Sequence, residues 1–230
     1  MGGSAWEIKE ANKVVACILH VDTTTVAWSF GLRNLILPGR EDLRRFSPFF
    51  PTAGMPFDHA RNTTVQYMFD VGAEWWFGLD SDVVPPRDAL LRLLAHKQPF
   101  ISGMYCRRSP PHGVPVMIKN GTWYTDFIPG SVVEVDLVGA GVLLIHRSVF
   151  ERVQQRPEVG KKWFDWRVDQ LNLPNIPADK PSLSEDFTYC HACRMAGYKI
   201  LVDTSIQARH VGYGEANFGT FGPCETRPVT

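Results

Sequence analysis

The 230 residues carry 24 basic and 24 acidic side chains, a formal net charge of zero, so bulk charge argues for neither a nucleic-acid nor a membrane partner. Hydrophobic residues at 44% and charged residues at 21% exclude a disordered or fibrous chain and allow a sizeable core. The length suits one large α/β domain, and no apolar run approaches the roughly 20 residues that span a bilayer.

Five cysteines, an odd number without paired spacing, favour reduced thiols. Cys190-His191-Ala192-Cys193 resembles half of a metal site, but no second pair follows, and four ligands are needed for structural zinc. With no leader-like N-terminus, the expectation is a cytoplasmic protein without a membrane partner. Asn62-Thr63-Thr64 and Asn120-Gly121-Thr122 then match glycan acceptors by coincidence. Local basic patches remain at Arg40, Arg44, Arg45 and at Arg107, Arg108.

Val14-Val15-Ala16-Cys17-Ile18-Leu19 is a short unbroken apolar run, the pattern of a central parallel strand. It leaves into His20-Val21-Asp22-Thr23-Thr24-Thr25, and Val26, Ala27, Phe30, Leu32 and Leu35 then predict a helix capped by Thr or Asp. Such a corner is either a ligand site at the carboxyl edge of a sheet or only a good cap. Residues 36–57, with Pro38, Pro48, Pro51 and Pro56, predict a strand or two in long loops. Asp58-His59-Ala60-Arg61-Asn62 opens a helix with Val65, Met68 and Phe69 on one face and Gly72 at its end. Arg61 lies where the macrodipole disfavours a cation, so it is either a solvated helix-start residue or a partner for pyrophosphate.

Trp75 to Leu79 reads as another buried strand, and it ends in Asp80-Ser81-Asp82 before Pro85-Pro86 stops it. Carboxylates are disfavoured in strands and expensive to bury unpaired. Two of them at a strand's end are either turn-formers or a seat for a divalent cation that bridges phosphate oxygens. A helix over 88–94 and a strand over 99–104 follow, giving the alternation of a parallel, doubly wound sheet.

The pattern then becomes antiparallel. Val116-Met117-Ile118 and Trp123-Tyr124 flank an Asn-Gly turn, a hairpin signal. Ser131 to Val138 alternates, with Val133, Val135 and Leu137 on one face and Glu134 and Asp136 on the other. Gly139-Ala140-Gly141 allows either a ligand's approach or a bulge before the buried run 142–145 and a helix over 147–153. Residues 156–184 form a long loop whose Trp163, Phe164 and Trp166 either stack on a sugar or base or plug the core. Ser184 caps a helix that begins with Glu185 and Asp186 and closes at Gly197. Two short strands, 199–203 and 206–212, are predicted next, the second containing His210; residues 213–230 read as a flexible tail.

Taken jointly, Ala60-Arg61-Asn62, Leu79-Asp80-Ser81-Asp82, the Gly-Ala-Gly segment with Arg147, Ser184-Glu185-Asp186 with Arg194 and Gly197, and His210 resemble the GT-A glycosyltransferases, particularly the inverting family-2-like group. The resemblance covers about residues 14–212. It implies one Rossmann-like α/β domain, a mostly parallel twisted sheet flanked by helices with a smaller antiparallel portion. The donor half would be about 14–105 and the acceptor half about 106–212. It implies Mn²⁺ or Mg²⁺ held by Asp82, by Asp80 directly or through water, and by His210. Asp186 would be the general base and Glu185 would help to position the acceptor. Asp22, Thr23 and Asp58 would line the nucleoside pocket, Arg61 the phosphate side, and Asp80 and Ser81 would meet the donor, expected to be a UDP-sugar. The usual Asn-Glu turn after the first strand is replaced by Val21-Asp22-Thr23-Thr24, which leaves the base open. Compact relatives are bacterial or bacteriophage-encoded, and some glycosylate hydroxymethylated pyrimidines in DNA, so modified DNA is one candidate acceptor. Two other readings stand beside this one. A nucleotidyltransferase would want a Gly-rich basic loop after the first strand, which this chain lacks; a non-catalytic carbohydrate- or nucleic-acid-binding module would need no metal.

Overall fold

A computed structural model describes residues 14–19, 24–38, 47–51, 55–108, 113–154, 162–166 and 184–211, with 47–51 described as backbone. Asp22, Thr23, the Arg40, Arg44, Arg45 patch, most of the loop 156–184 and the tail 213–230 lie outside the described residues.

Eight strands form the main sheet. β1 (Val14–Leu19) pairs in parallel with β2 (Ser47–Pro51) on one side and β3 (Trp75–Asp80) on the other. β10 (Val142–His146) lies antiparallel between β3 and β5 (Phe100–Tyr105). β11 (Ile200–His210) runs parallel to β5 and takes β4 (Val83–Val84) and β8 (Val132–Val135) as antiparallel neighbours. Five strands, β2, β1, β3, β5 and β11, therefore run one way and three the other. A small antiparallel sheet of β7 (Thr122–Trp123), β6 (Met117–Lys119) and β9 (Leu137–Val138) stands beside it. The result is a mixed, Rossmann-like α/β fold. Because β10 returns between β3 and β5, the two sequence halves share one sheet.

Alternation along each strand divides the core. Val15, Cys17, Leu19 and Trp76 face a layer with Met68 of α2 (Phe57–Asp70), Phe150 of α4 (Arg147–Gln154) and Phe187 of α5 (Glu185–Met195). Val14, Ala16, Ile18, Trp75 and Phe77 face Trp28 of α1 (Val26–Asn34) and Leu90 of α3 (Ala89–Ala95). A strand buried on both faces must be apolar throughout, which is why β1 and β3 are unbroken hydrophobic runs. α1 begins where Thr25 accepts a hydrogen bond from the Trp28 amide, 3.1 Å away, relieving an orphan donor of the first turn. Asn120 and Gly121, with φ of 52° and 81°, make the primed turn that Asn-Gly favours.

Two expectations change, and one open alternative is decided. Ser131–Val138 is not one strand: it breaks into β8 and β9 at Asp136, which is buried rather than outward. Its carboxylate accepts the Asn120 amide at 2.6 Å and pairs with Arg194 at 2.7 Å, so a turn donor and a cation stabilise the buried charge. The two short strands near the end are one strand, β11. It is bulged between Asp203 and Gln207, where four steps along β11 match one along β5. Ile200 and Val202 pack on the α5 side, whereas Ile206 and Ala208 pack on the α3 side. Within 156–184, Trp163 and Phe164 plug the core at 5% and 0% exposure, while Trp166 is 42% exposed.

Candidate functional site

The carboxyl ends of β1 and β3 meet the N-terminus of α5 and the end of β11. Asp80 is the last residue of β3; its backbone carbonyl accepts the Trp28 indole N–H at 2.9 Å, and the Ser81 amide donates to the Leu19 carbonyl at 3.0 Å. These bonds fix the turn that separates Asp80 from Asp82. The two side chains then diverge.

Asp80 turns inward to Arg61: Nη2 donates to Oδ1 at 3.0 Å, and Nε of the same guanidinium donates to Glu185 Oε1 at 3.0 Å. Arg61 is only 2% exposed, and Phe164 lies 5.8 Å from its guanidinium on a ring face. A planar fork that bonds two carboxylates at once explains why this position is Arg and not Lys. Arg61 Nη1 is buried without a hydrogen-bond partner among the described residues. Burial, together with the neighbouring Asp186 charge, pushes the Glu185 carboxyl up even though Arg61 opposes it. Burial also raises Asp80, with Asp82 and Asp186 adding to the rise and Arg61 opposing it. Arg61, expected to face phosphate, is thus an internal brace, and Glu185, expected to help position the acceptor, faces that brace.

Asp82 turns toward β11. Its Oδ2 lies 3.3 Å from His210 Nε2 and 2.9 Å from Arg108 Nη2. Burial works to raise the Asp82 carboxyl, but the hydrogen bond and charge of His210 and the charge of Arg108 outweigh it and hold the carboxyl low. His210 Nδ1 lies 2.8 Å from the Cys106 carbonyl, which can only accept, so Nδ1 carries the proton. A protonated ring donates from Nε2 to the carboxylate oxygen, whereas a neutral ring would aim a bare Nε2 lone pair at it. Either a second proton or a cation must lie between the two. Four carboxyl groups, Asp80, Asp82, Glu185 and Asp186, share this region with the guanidiniums of Arg61 and Arg108. Among the described residues no three His, Cys, Asp or Glu side chains converge on one point; Asp82 and His210 form a pair, and Asp80 points to Arg61. A two-ligand set suits a hard cation that completes its coordination with water and substrate phosphate.

Asp186 is half-buried. Its Oδ1 accepts the Phe187 amide at 2.8 Å and the Ser184 hydroxyl, and its Oδ2 accepts the Ala140 amide at 3.2 Å. Ser184 stands at the helix cap but spends its hydroxyl on Asp186. A carboxylate has about four acceptor positions. Three are filled here, which fixes the group's direction and leaves one for an incoming hydroxyl.

The glycines before β10 serve a protein side chain. A Cβ on Gly139 would lie 2.1 Å from the Tyr105 hydroxyl, and one on Gly141 would lie 2.8 Å from its Cζ. Tyr105 fills that space, receives the Gly141 amide at 3.3 Å and meets His210 edge-on at 5.4 Å.

Asp58 stands at the start of α2, with Lys162 at 3.5 Å. Asn62 performs a task that its sequence position hardly signals. Its Oδ1 accepts the amides of Trp163 and Phe164 at 2.9 and 3.1 Å, and its Nδ2 donates to the carbonyls of Phe164 and Asp58, each at 2.7 Å. Asn62 therefore clips residues 163–164 onto α2, behind Arg61. The one signal available was a polar amide inside a helix beside Arg61.

Cys190 and Cys193 are buried thiols, not metal ligands: Cys190 donates to the Val138 carbonyl at 3.4 Å, and burial pushes both thiols up, against the thiolate a metal needs. No helix among the described residues is long and apolar enough to cross a membrane.

No protein-family model matches the chain, and no curated protein matches it. A solved structure that does match is that of A197 from STIV, with a TM-score of 0.55 and 13% sequence identity over 88% of this chain and 87% of that one. At that identity the likeness shows the fold, a Rossmann-like α/β architecture along most of both chains.

Proposed function

We propose that this protein is a metal-dependent glycosyltransferase that moves a sugar from a nucleotide-diphosphate sugar, a UDP-sugar by expectation, to an acceptor hydroxyl with inversion. The observation that carries the reading is the Asp82–His210 pair, where a cation can take the place of a shared proton, close to a carboxylate with one free acceptor position, Asp186. Asp82 and His210 would hold Mn²⁺ or Mg²⁺, and imidazole favours Mn²⁺. The cation would supply Lewis-acid neutralisation of the departing diphosphate.

The rest falls to the chain's own groups. Asp186 accepts the acceptor's hydroxyl proton as the new bond forms between that oxygen and the anomeric carbon. The bond from the anomeric carbon to the diphosphate breaks on the opposite side, and its electron pair leaves with the nucleoside diphosphate. Arg61 and Glu185 keep Asp80 and the α5 N-terminus in register. On the acceptor side, Arg107 lies 4.4 Å over Trp123 and Lys119 lies 4.8 Å over Tyr124, with Trp123 also 6.4 Å from Phe187. Basic groups on aromatic faces beside the base support an acceptor that stacks, such as a sugar or a modified pyrimidine in DNA.

The test is a thermal-shift screen of nucleotide sugars with Mn²⁺ and with EDTA, followed by turnover assays on free sugars and hydroxymethylated DNA. A ligand that binds only the native state raises its stability. Stabilisation by a UDP-sugar that needs Mn²⁺ and vanishes in Asp82→Asn is expected. Turnover that persists in EDTA overturns the metal role, and metal-independent ligand binding without turnover overturns the enzyme.

A further inference from the structure

Arg108 occupies the ground where the proposed cation would lie. Its Nη2 is 2.9 Å from Asp82 Oδ2, the same oxygen that His210 Nε2 faces at 3.3 Å, and its Nη1 donates to the Val211 carbonyl at 3.2 Å. The Val211 amide in turn donates to the Asp82 carbonyl at 2.7 Å, so that part of the backbone holds without Arg108. The Arg108 side chain is 40% exposed, whereas Arg61, the other cation of the site, is sealed in. One guanidinium is thus fixed and the other is free to pivot at little cost, since exposed ion pairs are weak.

Resting on the glycosyltransferase reading, we infer that Arg108 is a stand-in for the metal: it neutralises Asp82 when the cation is absent and turns to the donor's diphosphate when the cation binds. A divalent cation between Asp82 and His210 repels a guanidinium on the same oxygen. Displaced from Asp82, that guanidinium lies at the mouth of the site, where the diphosphate must arrive with the cation. Arginine's planar fork bonds two phosphate oxygens at once, a match that an ammonium lacks. The single residue therefore acts with opposite sign on two ligands. It weakens binding of the cation alone and strengthens binding of the nucleoside diphosphate with the cation.

Arg108→Gln separates the two effects without turnover as a readout. Mn²⁺ alone, titrated by the loss of the free-ion spin-resonance signal, should bind Arg108→Gln about three- to ten-fold more tightly than wild type. UDP, titrated by calorimetry at saturating Mn²⁺, should bind the variant about ten-fold more weakly. Arg108→Lys should restore the weaker Mn²⁺ binding but not the UDP affinity. Mn²⁺ affinity that is unchanged or lower in Arg108→Gln, or UDP affinity that is unchanged, overturns the inference while leaving the glycosyltransferase reading intact if Asp82→Asn still abolishes Mn²⁺ binding. Absence of Mn²⁺ binding in both wild type and Arg108→Gln overturns both.

Discussion

Arg61 and Glu185 meet at 3.0 Å across 124 residues of chain, with side chains 3% and 4% exposed. A buried pair of this kind fixes geometry more than it adds stability, but breaking it leaves a charge stranded. Arg61→Met should therefore destabilise the protein by about 3–5 kcal/mol, read by urea denaturation. Adding Glu185→Leu should recover a large part of the loss, because the second stranded charge is gone. A cost below about 1 kcal/mol for the single variant would show that Asp80 and Glu185 find other partners.

Asp186 is held by three donors, and its carboxylate is the group proposed to take the acceptor's proton. Asp186→Asn should lower kcat about 10²- to 10⁴-fold and leave the KM for the donor nearly unchanged. Nucleotide-dependent thermal stabilisation should survive in the variant. Equal losses in donor binding and in turnover would assign Asp186 to donor binding instead.

His146 supplies a pH dependence outside the site. Its ring sits edge-on to Trp75 at 4.8 Å, and its Nδ1 accepts the Ser148 amide at 3.2 Å, so the neutral form is the one that fits. Burial, with the Arg147 charge adding, lowers its pKa from 6.5 to about 4. Between those values the unfolded chain binds a proton that the folded chain refuses, so stability is complete above about pH 6.5 and falls as the pH drops toward 4. The loss from this one group should be about 2 kcal/mol between pH 6.5 and 5. His146→Gln should flatten the difference between denaturation curves at those two pH values; an unchanged difference counts against it.

Gly139 and Tyr105 are a packing pair. Gly139→Ala should cost about 1–3 kcal/mol, since the new methyl meets the phenol oxygen at 2.1 Å. Tyr105→Phe removes that oxygen and should recover part of the cost, although alone it strands the Gly141 amide. A double-mutant cycle should give a coupling above about 0.5 kcal/mol, and strict additivity would contradict the contact.

Asn62→Ala should release residues 163–164. The amides of Trp163 and Phe164 lose their acceptor, so hydrogen exchange there should speed up while α2 keeps its protection. Exchange that is unchanged would mean that burial of the two rings alone holds the segment.

Local chemistry was legible in the sequence. The unbroken apolar runs of β1 and β3, the Thr25 cap and the Asn-Gly turn each follow from a few neighbouring residues, and each stands where the pattern predicts it. What escaped depends on partners far along the chain. Asp136 looks outward by alternation, yet a turn amide and Arg194 draw it inside. Gly139 and Gly141 allowed either a ligand's approach or a bulge, and the partner that fills their space, Tyr105, is distant in sequence. Arg61 looked like either a solvated helix-start residue or a phosphate partner, because the two carboxylates that enclose it are distant in sequence. Arg108 appeared only as part of a basic patch, since nothing nearby announces that it reaches Asp82.

The bulge in β11 governs which residue reaches the Asp82 side of the site. It adds an odd number of residues relative to β5, and side chains alternate faces with a period of two. The strand is therefore turned over halfway along, which is why its even-numbered residues pack on opposite sides of the sheet before and after the bulge. Lengthening or shortening the segment 204–206 by one residue would bring Arg209 or Val211, respectively, to the position of His210 and exchange an imidazole for a guanidinium or an isopropyl group. At this edge of the molecule, chain length acts as a chemical determinant in its own right. Insertions and deletions there should be more damaging than any single substitution within the bulge.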